Sequence, residues 1–80
     1  METGSIIFDL RKSKKLSQRQ LSEIIGVSED TIDKWEADKE LPDIASLMTL
    51  SKYFGVTVDY ILKGEEKNKK NFILATAFNY

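Results

Sequence analysis

The stretch "LSQRQLSEIIGVSEDTIDKW", residues 16–35, constrains the fold of this chain more than any other. Ser17 is followed three residues later by Gln20. That is a capping box, in which the two side chains satisfy each other's free backbone N–H groups at a helix start. Leu21 and Ile25 give this helix an apolar stripe. Gly26 stops it, because glycine enters the left-handed region without a side-chain clash. Only Val27 separates Gly26 from the next cap, Ser28, and Ile32 and Trp35 then form the buried face of a further helix. Two helices joined by a turn of about three residues make a helix-turn-helix. Ser22 is small where the helices must cross closely, and Val27 is the apolar plug beneath the turn. Glu29, Asp30, Asp33, Lys34 and Ala37 are left facing outward.

Helical patterns recur on both sides of this unit. Residues 5–14 place Ile7 and Leu10 three apart with Arg11 and Lys14 alongside, which predicts a first helix. The helix carrying Trp35 is expected over about residues 29–37. Pro42 disfavours a helical Leu41, and Asp43 caps a fourth helix whose stripe is Ile44, Leu47, Leu50 and Phe54, ended by Gly55. Thr57 caps a short fifth helix with Val58, Ile61 and Leu62 apolar and Gly64 terminal. The expected fold is all-α: five short helices in one domain over residues 1–64, the helix-turn-helix formed by helices 2 and 3.

Residues 65–80 read as a charged linker, "EEKNKK", and an apolar tail, "NFILATAFNY". Lys67, Lys69 and Lys70 before an apolar stretch resemble the cytoplasmic edge of a membrane helix. Spanning needs about 20 apolar residues, more than follow here, so membrane insertion is not expected. The tail is expected to cover apolar surface on helix 1, where Ile6 and Phe8 stand on the outer face, or to meet a second copy; a disordered tail and a truncated membrane anchor are the alternatives.

Composition narrows the function classes. The chain has 80 residues, 41% of them hydrophobic and 31% charged, a globular balance. It has no cysteine, hence no disulfide framework and no thiolate metal site, in keeping with a reducing compartment. It has no histidine, the commonest metal ligand and the usual base at neutral pH. With no glycine-rich phosphate loop and too little chain for a deep pocket, an enzyme is not expected, nor a cofactor or metal. Residues 1–20 contain no secretory signal pattern, and a cytoplasmic setting is expected. Net charge is −1 and the pI is about 5.4. Any attraction to DNA must therefore come from local charge, not from the whole molecule.

The ordered pieces "LSQ", "GVS", "TI", "WE", "LPD" and "FGV", spread over roughly residues 3–65, resemble lambda repressor/Cro-like helix-turn-helix domains of the xenobiotic response element type. The resemblance implies a DNA-binding transcriptional regulator, most simply a repressor, that docks helix 3 in the major groove. It implies a homodimer on a pseudo-palindromic operator in double-stranded DNA. Residue by residue, it puts Gln18 on a DNA phosphate. Glu29, Asp30, Asp33 and Lys34 fall at base-reading positions, and Thr31 and Lys39 on the DNA backbone. Arg11 and Glu36 match an ion pair tying helix 1 to helix 3.

The chain departs from the pattern at three places. Ala37-Asp38-Lys39 stands where Asn-Gly-Lys is common, so an Asn backbone contact is lost and Asp38 must take the helix end. Lys15 stands where many relatives have Gly. Ile6 and Phe8 replace polar residues. Two acids at the tip of the reading helix also need a reason. Acids in a first turn stabilise the helix dipole by about 0.3–1 kcal/mol, and they are suited acceptors for cytosine N4 in the major groove. The two roles are compatible. The alternative is a protein-interaction module or antitoxin-like partner of the same fold with weak or no DNA binding, which the acidic tip and low pI favour. Trp35 is expected in the core, Gln20 as a cap only, and the run Arg11, Lys12, Lys14, Lys15 as a solvated face, with weak phosphate attraction as its second reading.

Overall fold

A computed structural model describes residues 2–64. They form α1 (Thr3–Ser13), α2 (Gln18–Ile25), α3 (Glu29–Glu36), α4 (Ile44–Phe54) and α5 (Val58–Lys63). Four of the five starts are set by side chains that accept from the N–H three residues on. Ser17 takes Gln20 N at 3.0 Å, Ser28 takes Thr31 N at 3.1 Å, Asp43 takes Ser46 N at 2.8 Å and Thr57 takes Tyr60 N at 2.9 Å. The reciprocal bond of the α2 capping box, from Ser17 N to Gln20 Oε1, is 2.8 Å. Each such cap is worth about 1 kcal/mol.

The ends differ in their chemistry. Gly26 closes α2 at φ 88°. The turns after α1 and α3 instead use Lys15 and Asp38, both at φ 59°. A left-handed residue other than glycine costs about 1–2 kcal/mol, so something else must hold these turns. For α3 the reason lies in α1. Asp38 Oδ1 accepts from Gly4 N at 3.1 Å. A side chain at Gly4 would bring a Cβ within 2.7 Å of the backbone oxygens of both Trp35 and Glu36. The first turn of α1 therefore lies directly on the last turn of α3.

Every helix contributes to one core. Ile7, Leu21, Ile32, Leu50 and Ile61 are fully enclosed, with Trp35 and Leu47 beside them. Leu10, Leu16, Ile25, Val27, Phe54, Val56 and Val58 pack around this centre. No pair of helices could bury these side chains alone, so the helix-turn-helix depends on α1, α4 and α5 for its shape.

Several expectations are corrected. Helix α1 starts at Thr3, two residues before the predicted boundary, because Gly4 and Asp38 anchor it. Ile6 does not face outward; it is buried and approaches Gly64. Phe8 is exposed, with the Arg11 guanidinium 5.2 Å and the Lys12 ammonium 5.8 Å from its ring centre. Arg11 is not part of a solvated face but buried. Ile44 and Leu62 leave the predicted stripes and stand exposed, Ile44 at 69%. The predicted linker and apolar tail, residues 65–80, lie outside the described residues. Among the described residues no helix is long and apolar enough to cross a membrane.

Candidate nucleic-acid interface

The crossing of α2 and α3 follows from the turn. Gly26 N and Val27 N both donate to Ser22 O, at 2.8 and 3.0 Å, closing α2 and turning the chain at once. Ser22 is buried at the crossing and its hydroxyl bonds back to Arg19 O at 2.7 Å, leaving no bulk between the helices. Ile32 and Trp35 hold the back of α3 in the core. The opposite face of α3 is presented to solvent, as the sequence pattern predicts.

On that face Glu29, Asp30, Asp33 and Lys34 are exposed, and Thr31 is half-buried. They are not equivalent. Asp30 and Lys34 pair with each other at 3.3 Å, a contact between two exposed groups worth little in water. The Thr31 hydroxyl lies 2.8 Å from the Ser28 hydroxyl and belongs to the cap. Asp33 is engaged by Gln18 of α2, whose Nε2 lies 3.3 Å from Asp33 Oδ1. Among the described residues Glu29 has no polar partner and lines an open depression at the start of α2. Lys12, Lys15, Leu16, Ser17 and Gln18 line the same depression. Lys39 follows Asp38 beyond α3 and is exposed.

Behind this surface a polar network binds three helices. Arg11 of α1 grips Glu36 of α3 with two bonds, Nε to Oε2 at 2.6 Å and Nη2 to Oε1 at 3.0 Å. Its third nitrogen, Nη1, donates to Leu16 O at 2.8 Å, in the turn before α2. Gln18 Nε2 donates to the same Glu36 Oε1 at 3.0 Å. The bonds to Glu36 push the Arg11 guanidinium pKa up, against the opposing effect of burial. The planar fork makes three directed bonds at once, which a lysine could not. The Arg11–Glu36 pair implied by the family pattern is present in the structure.

Sequence reasoning missed two features. Gln18 is tied to α3 rather than free to reach outward. Lys12 and Lys15 border the depression beside α2 and Lys14 does not, a distinction within the basic run that the sequence does not make. The 33/36 spacing does put two acids on one face of α3, but only the tertiary crossing shows that Gln18 stands opposite them.

Residues 7–61 match the family model described as helix-turn-helix. The chain belongs to the helix-turn-helix family. Among its helix-turn-helix relatives, the HTH-type transcriptional activator BcrR of Enterococcus faecalis is 40% identical over 87 aligned positions, covering 100% of this chain and 42% of that protein. The repressor protein C2 of Salmonella phage P22 is 38% identical over 62 positions, covering 78% of this chain and 29% of that protein. The chain thus spans less than half the length of either. Among solved structures, the P22 c2 repressor in complex with a synthetic operator aligns with a TM-score of 0.77 at 35% identity, over 81% of this chain and 98% of that one. The solution structure of the P22 c2 DNA-binding domain aligns with a TM-score of 0.72 at 36% identity, over 80% and 84% of the two chains. The five-helix arrangement is thereby a lambda-repressor-like helix-turn-helix fold.

Proposed function

We propose that this chain is a sequence-specific DNA-binding transcriptional regulator, with residues 1–64 as the DNA-binding unit and residues 65–80 as linker and tail. The observation that carries this reading is the outward face of α3. It is held from behind by Trp35 and the Arg11–Glu36 pair, in a fold shared with a repressor solved on a synthetic operator. In this reading α3 enters the major groove of double-stranded DNA. The start of α2 meets the phosphate backbone, where helix N-terminal N–H groups favour an anion. By the family pattern Gln18, Thr31 and Lys39 fall near the backbone, and Glu29, Asp30, Asp33 and Lys34 near base edges. The site works on double-stranded DNA, in the cytoplasm, with no catalytic step. Repression is the simpler output, because occupying an operator needs no further surface; the Enterococcus relative shows that activation also occurs among similar proteins.

One α3 presents few side chains, so we expect two copies on a pseudo-palindrome. Leu41, Ile44 and Met48 support this expectation: they lie within eight residues of one another and are each at least half exposed. The acidic tip of α3 favours a second reading, a protein-interaction module without DNA binding. Selection of bound sequences from a random duplex pool decides. Enrichment of one two-fold motif supports the regulator, and enrichment of none sinks it.

A further inference from the structure

The Gln18 amide has two N–H donors, and the structure spends both. Nε2 lies 3.0 Å from Glu36 Oε1 and 3.3 Å from Asp33 Oδ1. Carboxylate oxygens only accept, so turning the amide over would set Oε1 against two acceptors. The chemistry fixes the orientation: NH₂ toward α3, carbonyl away from it. A carbonyl oxygen cannot bond a phosphate oxygen, since both are acceptors. The two acids are also not alike. Glu36 is neutralised by the bidentate Arg11. Asp33 has no cation, and its side-chain partner among the described residues is Gln18. Gln18 holds Asp33 Oδ1, so a base amino group approaching that oxygen would compete with Gln18 for it.

We infer that Asp33 is a positioning residue which, with Glu36, locks the Gln18 amide onto α3, so that neither Asp33 nor the Gln18 amide makes the DNA contact that the family pattern assigns to its position. Phosphate at the start of α2 then falls to the backbone N–H groups and to Lys12 and Lys15, which border the same depression. Base reading at the tip falls to Glu29, which is free of polar partners among the described residues. The DNA half of this inference rests on the proposed function; the lock does not.

Two measurements on the full chain test it separately. The first is a double-mutant unfolding cycle without DNA. Q18A and D33A are each expected to lower the folding equilibrium by about two- to tenfold, the range for one net hydrogen bond. The double variant should lose little more than Q18A alone. D33N should restore most of the loss, because its amide oxygen can face Gln18, and Q18E should be worse than Q18A, because it adds a third carboxylate. Additive losses, or no rescue by D33N, overturn the lock. The second is duplex selection with D33A. The same motif at uniformly lower affinity supports positioning, and a preference lost at one base pair overturns it. A wild-type chain that selects no motif removes the proposed function, and the unfolding cycle still decides for or against the lock.

Discussion

Asp38 Oδ1 accepts a hydrogen bond from Gly4 N at 3.1 Å, so the residue that ends α3 also caps the first turn of α1. This contact explains why an aspartate tolerates φ 59° at a position suited to glycine. Glycine would relax the backbone and lose the carboxylate. The same contact fixes where α3 stops relative to the rest of the domain.

Gly4→Ala is expected to destabilise the domain by about 1–3 kcal/mol, the usual cost of overpacking. Its Cβ would meet backbone oxygens at 2.7 Å, and backbone cannot rotate aside. Asp38→Ala should lose the cap and keep the strain, whereas Asp38→Asn keeps an acceptor and a tolerance for the left-handed region. Chemical unfolding of the three variants checks this. A Gly4→Ala variant as stable as the parent would mean α1 does not dock as described.

Arg11→Ala should cost about 3–5 kcal/mol, because it leaves the Glu36 carboxylate buried without its charge partner. The side chains of Arg11 and Glu36 are only 9% and 7% exposed, so water cannot take over. Arg11→Lys should recover only part of the loss, since one ammonium cannot bond Glu36 twice and Leu16 O as well. Thermal melting of both variants is the measurement, and equal stability of Lys and Arg would contradict the geometry.

How much of this was legible in the sequence depends on the range of each interaction. The caps at Ser17, Ser28, Asp43 and Thr57 reach three residues, and all four stand where the pattern predicts. The core residues Ile7, Leu21, Ile32, Trp35, Leu50 and Ile61 follow from helical spacing. The Gly4–Asp38 contact spans 34 positions and leaves no local pattern, so local spacing neither places the start of α1 at Thr3 nor shows that Ile6 is buried. Ile44 fits the stripe of α4 by spacing, yet it stands exposed, and spacing alone does not distinguish the two. The site was legible as a helix face but not as a network. Gln18, Asp33 and Glu36 meet only because α2 crosses α3.

Asp43 gives the fold a measurable acid dependence. Its carboxylate accepts from Ser46 N, and this bond holds its pKa below the ordinary 3.8. A lowered folded value means that the stabilisation is fully present above 3.8 and is lost as pH falls through the folded value. Asp43→Asn keeps a capping acceptor and removes the titration. The variant's melting temperature should therefore fall less than the parent's on acidification below pH 3.8. Parallel curves for the two proteins would show that Asp43 carries none of the effect.

Lys12 and Lys15 should carry the salt dependence of DNA binding at the α2 end. Each lysine that neutralises a phosphate steepens the plot of log affinity against log salt by about 0.9 for duplex DNA. Lys12→Ala and Lys15→Ala are each expected to flatten the slope by about that amount and to weaken all duplexes alike. The depression they border argues for these two over Lys14, whose ammonium sits 5.2 Å from the Tyr53 ring centre. Lys14→Ala is the internal control. A slope unchanged in all three would place the phosphate contacts elsewhere.

Ile44→Lys tests the pairing of two copies. Ile44 is 69% exposed, so the free domain should keep its melting temperature. Leu41, Ile44 and Met48 offer far less than the roughly 800 Å² per partner of a standard interface. Free copies should then be monomeric at ordinary concentrations and pair only when a duplex holds them about one helical turn apart. On such an operator the parent should bind cooperatively, and Ile44→Lys should turn this into independent binding of two half-sites. On a single half-site the variant should bind as well as the parent or slightly better, because the added charge faces a polyanion. Unchanged cooperativity on the full operator would show that this apolar cluster is not where the copies meet.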